Sequence, residues 1–117
     1  MAERDLLFEI LSTWGAHHSL RIWRANTGMG WFKNGEPARK TDPGAYPVRF
    51  GTPGQGDISG LVLPSGRRLE IECKAKTGQS ADQKSFQRMI EGFGGLYVLA
   101  RSIDDVDRAL MALGVRR

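Results

Sequence analysis

Two runs of alternating apolar and polar residues, Ile58 to Leu63 and Arg68 to Lys74, flank the turn Pro64-Ser65-Gly66-Arg67. Alternation at period two sends successive side chains to opposite faces of a strand, and a Pro/Gly turn between two such runs makes a hairpin. Setting Leu63 opposite Arg68 places Asp57 opposite Lys74 and Ser59 opposite Glu72. Directly opposed side chains share a face, with Cβ atoms ~4.5–5.5 Å apart. Glu72 and Lys74, two apart on one strand, share a face as well. Asp57, Glu72 and Lys74 are therefore expected to converge at the open end of the hairpin. A slip of one residue would separate them. A plainer account also fits: Glu70, Glu72, Lys74 and Lys76 alternate with Leu69, Ile71, Cys73 and Ala75 as a solvated outer face would, and Asp57 after Gly56 suits a turn.

The rest of the chain supplies one domain, residues 1–117, around this hairpin. Glu3 to Trp14 carries Leu6, Leu7, Ile10, Leu11 and Trp14 on one side of a helix, with Gly15 as its stop. Ser19 to Asn26 alternates as a strand. Ser80 opens a helix to about Glu91, with Gln83 completing a capping box. Leu96 to Ala100 reads as a buried strand, and Ser102 caps a last helix through about Leu113. Between them, Thr27 to Gly56 is rich in glycine and proline and reads as a long basic loop with room for a short hairpin. The expected fold class is α/β, a small mixed sheet flanked by helices.

Composition limits the function classes. No apolar run approaches the ~20 residues that span a bilayer, and the acids of Met1-Ala2-Glu3-Arg4-Asp5 do not suit a signal peptide. The expectation is a cytoplasmic protein with no membrane partner. The single cysteine, Cys73, excludes an internal disulfide and a Cys-rich zinc site. A formal charge of +4 and a pI near 9.6 favour a polyanionic partner. His17 and His18, adjacent in sequence, point ~100° apart in a helix, a poor metal pair that reads as a polar helix end.

The converging charges suit phosphodiester chemistry. Two close carboxylates repel unless a cation lies between them. Mg²⁺ commonly takes one or two carboxylates together with water and phosphate oxygens. The backbone carbonyl of Cys73 is a candidate extra ligand to Asp57 and Glu72, and Lys74 would offset charge developing on a phosphate or position the attacking water.

Asp57, followed after a hairpin by Glu72-Cys73-Lys74, resembles the PD-(D/E)XK nuclease signature. The chain is more specifically similar to the VRR-NUC (virus-type replication-repair nuclease) family. The stretches that carry this are Trp23-Arg24-Ala25-Asn26-Thr27-Gly28, Arg49-Phe50-Gly51 leading to Gly54-Gln55-Gly56-Asp57, Gly66 through Lys74, and Thr77 through Lys84 followed by a helix and Gly94-Gly95. The resemblance runs in order over nearly the whole chain. It implies a restriction-endonuclease-like core, Mg²⁺ or Mn²⁺ dependence and hydrolysis of DNA. It implies Asp57 and Glu72 as metal ligands, Lys74 as the catalytic lysine, Gln83 as a supporting residue and a first-helix glutamate, Glu3 rather than Glu9. Gly56 replaces the family's usual proline, which is expected to loosen the turn, and Cys73 stands where valine is more usual.

Phage members of the family that stand alone resemble junction-resolving enzymes and act as homodimers, so the resemblance implies branched DNA, such as four-way (Holliday) junctions, and a second copy as partners. Lys33, Arg39, Lys40, Arg49, Lys76, Lys84 and Arg88 are the candidate phosphate contacts. Trp31 and Phe32 are candidates for stacking on unpaired bases or for packing at a dimer surface. The alternative function is a non-catalytic nucleic-acid-binding module on a nuclease fold.

Overall fold

A computed structural model describes residues 2–25 and 28–117. Asn26 and Thr27 lie outside the described residues, and with them the end of the expected first strand, the start of the expected loop and part of the Trp23–Gly28 stretch. The order is α1 (Glu3–Trp14), β1 (Leu20–Arg24), β2 (Gly28–Lys33), β3 (Glu36–Pro37), β4 (Tyr46–Phe50), β5 (Ile58–Val62), β6 (Arg67–Cys73), α2 (Ala81–Gly92), β7 (Leu96–Ala100) and α3 (Ile103–Met111). This is an α/β protein, with three helices, a mixed four-stranded sheet and a small antiparallel sheet among the described residues.

The main sheet has the order β1-β5-β6-β7. β1, β5 and β6 are antiparallel neighbours, and β7 runs parallel to β6. Parallel neighbours need a long crossover, which α2 supplies. Its start is fixed by a capping box: Ser80 Oγ accepts from the Gln83 N–H at 3.2 Å, and Gln83 Oε1 accepts from the Ser80 N–H at 2.9 Å. At α3 the Asp105 carboxylate accepts from the backbone N–H groups of Arg101 and Ser102 at 2.8 and 3.3 Å.

Period two sorts the sheet's residues into two unlike faces. Leu69, Ile71 and Cys73 of β6 point with Ile58, Val98 and Ala100 into the main core, against Leu6, Ile10 and Trp14 of α1 and Val106 and Leu110 of α3. On the opposite face Tyr97 and Leu99 pack under Phe86 and Ile90 of α2. The sheet is covered on both sides, so a polar residue pointing away from the main core is not thereby solvated.

Three expectations need correction. The hairpin register is Val62 to Arg67, Leu61 to Arg68, Ser59 to Glu70 and Ile58 to Ile71. Ser59 thus faces Glu70 rather than Glu72, and one step further along the register Asp57 is level with Glu72 rather than Lys74. The error is two residues, so every side chain keeps its face. Second, Thr27 to Gly56 is not a loop with a minor hairpin: β3, β2 and β4 form a three-stranded antiparallel sheet. None of its strand residues is buried, and the molecule measures 53 × 32 × 28 Å, longer than a compact body of this length. Third, His17 and His18 lie beyond α1, not at its end. Their rings stack on each other, and His17 ties the C-terminal segment through the carbonyl of Arg116.

Candidate functional site

The end of β6 gathers the charged residues. Asp57 immediately precedes β5 and is fixed from two sides: its carbonyl accepts from the Ala25 N–H at 2.9 Å, and its Oδ2 accepts from the Cys73 N–H at 2.8 Å. Glu72, on the α2 face of β6, is 5% exposed. Its Oε1 accepts from Gln83 Nε2 at 3.0 Å and lies 4.0 Å from Lys74 Nζ. Glu3, in the first turn of α1, reaches the same end through Oε1, which accepts from the Ala75 N–H at 3.2 Å. Five residues from four separate stretches of chain therefore meet: Glu3, Asp57, Glu72, Lys74 and Gln83. Of the two helix glutamates, Glu3 is the one that reaches the cluster.

Burial sets the electrostatics. The Glu72 carboxyl is pushed up to about 8, first by removal from water and then by the Asp57 carboxylate beside it, with Lys74 opposing. Neither a solvated outer-face carboxylate nor one locked in a close ion pair behaves so. The Cys73 thiol, in the main core, is pushed up to about 12 by burial and by Asp57, Glu72 and Glu3. It stays protonated, so only the Cys73 peptide can serve the site. Among the described residues no group of three or more His, Cys, Asp or Glu side chains is arranged to hold a metal. The carboxylate pair of Asp57 and Glu72 still fits Mg²⁺ or Mn²⁺, because such ions take the remainder of their oxygens from water, carbonyl and phosphate.

Glu70 escaped the reading of the sequence. It is fully buried, accepts from Ser59 Oγ at 2.8 Å and pairs with Arg68 at 2.6 Å. Burial pushes its pKa up, against the hydrogen bonds from Arg68 and Ser59 and one from the Gly56 backbone. Glu70 thus braces the turn that delivers Asp57. Gly56 is not the loosening expected of it: it is buried, and a Cβ there would stand 2.9 Å from the Ile71 carbonyl oxygen. Tyr97, level with Glu70 on β7, is also new to the site, with its hydroxyl buried. Alternation assigns these residues a face but cannot tell that α2 covers it.

No family model, curated protein or solved structure matches this chain. No helix among the described residues is long and apolar enough to cross a membrane.

The remaining sequence candidates lie apart from the carboxylates or at their margin. Lys33, Arg39, Lys40 and Arg49 sit exposed on the small sheet and its turns. Lys76 is exposed just past β6, while Lys84 and Arg88 are exposed on α2, with Arg88 hydrogen-bonded to Ser85. Gly54 locks the Asp57 loop onto α2. It has φ +81°, and a Cβ there would stand 2.2 Å from the Asp82 carbonyl oxygen. Gly54→Ala is expected to lower stability by at least ~2 kcal/mol, from the strained φ and the backbone clash. Thermal unfolding checks this, and an unchanged midpoint would mean the loop is not held against the helix.

Proposed function

We propose that this protein is a metal-dependent DNA endonuclease of the PD-(D/E)XK type, of the VRR-NUC kind, with a restriction-endonuclease-like core. The observation that carries the reading is the meeting of Asp57, Glu72 and Lys74, joined by Glu3 and Gln83, at one end of the mixed sheet. Asp57 and Glu72, with the Cys73 carbonyl, would hold Mg²⁺ or Mn²⁺. The cation supplies Lewis acidity, polarising a phosphate oxygen and acidifying water. The chain's own groups do the rest. Gln83 orients Glu72 by donating to Oε1. The ammonium of Lys74 lies beside that carboxylate, where it can orient the attacking water and offset charge gathering on the phosphate. Glu3 holds the first turn of α1 to the segment beyond β6. In the reaction, water adds to phosphorus, one P–O ester bond breaks, and the departing oxygen takes a proton.

The proposed substrate is branched DNA, with four-way junctions foremost, and the proposed working form is a homodimer. Two sites related by a two-fold axis can cut two strands symmetrically. The test is cleavage of labelled four-way junction, flap, single-stranded and linear duplex DNA with Mg²⁺, Mn²⁺ or EDTA. A Lys74→Ala preparation controls for contaminating nucleases. Cutting only with metal, in paired near-symmetric positions on the junction, is expected. Equal cutting of linear duplex would remove the junction preference and leave the nuclease. Binding without cutting would return the protein to a non-catalytic module.

A further inference from the structure

The pleat of the small sheet separates two chemistries. Directly paired residues share a face, so Gly30 and Phe32 stand with Val48, Tyr46 and Phe50, whereas Met29, Trp31 and Lys33 stand with Arg49, Pro47 and Glu36. The first face satisfies itself: Phe32 and Phe50 meet edge to face at 5.8 Å, and a Cβ on Gly30 would press into both rings. The second face has no such closure. It presents Arg49 and Lys33 on either side of Trp31, and Lys40 sets its ammonium 5.9 Å from the centre of the Trp31 ring. Glu36 is the acid on this face, paired with Lys33.

Cations flanking a partly exposed aromatic ring are the chemistry that binds an unpaired strand, with the ring stacking on a base and the cations meeting phosphates. A duplex offers no free base face to Trp31. A second copy of the same face would oppose like charges. The surface also borders a cleft of about 290 Å³, which Met29 and Arg49 line with Thr52, Pro53, Gly54 and Gln55, the stretch of chain just before Asp57. We propose that the Trp31–Lys33–Arg49 face docks an unpaired DNA strand and guides it along this cleft to the carboxylates. The choice of DNA rests on the nuclease reading above.

The test is fluorescence anisotropy with labelled dT20 and a 20-base-pair duplex, in EDTA so that no cutting intervenes. Wild type is expected to prefer dT20. Lys33→Glu with Arg49→Glu should weaken dT20 binding at least tenfold and flatten its salt dependence. Trp31→Ala should weaken it severalfold while Trp31→Phe, which keeps a stacking ring, restores most of it. Arg21→Glu, an exposed reversal on β1, should leave it nearly unchanged. Circular dichroism verifies that each variant folds. Unchanged affinity in the double variant, or an equal loss in Arg21→Glu, overturns the proposal. So does a change from dimer to monomer in light scattering, which would make the face a contact between copies. Absence of cleavage with metal, alongside these losses in EDTA, would sink the nuclease reading and leave this strand-docking face standing.

Discussion

Lys74→Ala is expected to lower kcat on the preferred DNA by about a thousandfold, ~4 kcal/mol of transition-state stabilisation. Substrate affinity measured in Ca²⁺ or EDTA should change little. The expectation follows from position. Lys74 Nζ lies 4.0 Å from Glu72 Oε1 in a half-buried setting, so its charge acts through less water than a surface lysine's. Charge that builds on the phosphate only during the reaction would be met by Lys74 and missed by alanine. A loss confined to kcat therefore separates this role from general attraction of the polyanion, whose loss would raise KM. Lys74→Arg restores the charge but not its geometry, and should recover little. If Lys74→Ala raised KM alone, Lys74 would be a binding residue and the catalytic assignment would fall.

Glu72→Gln should be more stable than the wild type at pH 8.5 in EDTA, and the sign follows from linkage. The Glu72 carboxyl titrates near 4.5 when unfolded and at about 8 in the folded protein. Between those values the folded state holds more protons than the unfolded one, so wild-type stability falls as pH rises through that window. The substituted amide would carry no such penalty and can still accept from Gln83. Each pK unit corresponds to ~1.4 kcal/mol before relaxation and water entry reduce it, so a gain of at least ~1 kcal/mol is expected, several degrees in Tm. Below the unfolded-state value of 4.5 the difference should vanish. Saturating Mg²⁺ should reverse the order, because a ligand that binds only the folded state stabilises it, and glutamine would hold the cation less well. Thermal scans at pH 4, 6 and 8.5, with and without metal, check all three statements. A destabilised Glu72→Gln in EDTA at pH 8.5 would mean that Glu72 contributes as a favourable ion pair instead.

How far the sequence announced the site depends on what each signal measures. Alternation told which face Asp57, Glu72 and Lys74 occupy, and that survived a register error because a two-residue shift leaves faces unchanged. It could not choose between Leu63 and Val62 as the residue closing the turn, since both are aliphatic. Packing decides it: Val62 is buried and Leu63 is 62% exposed. Periodicity reports burial, so it is silent on β2 to β4, where no strand residue is buried. Glu70 reads as an outer-face acid because the groups around its carboxylate, Ser59, Arg68 and the Gly56 backbone, are brought there by the folded sheet and the turn before β5. The capping box of α2 was plain because all of its parts are local.

That capping box constrains the site's future more than its present. Gln83 uses its amide oxygen to hold the Ser80 N–H and its amide nitrogen to hold Glu72. Glutamate could do only the first and would add a negative charge beside Glu72. Lysine could do only the second. Asparagine has both atoms on a stem one carbon shorter. Position 83 is thus a place where helix initiation and carboxylate orientation cannot vary independently. Any drift there would have to solve both problems with one substitution, which leaves glutamine almost no neutral exit.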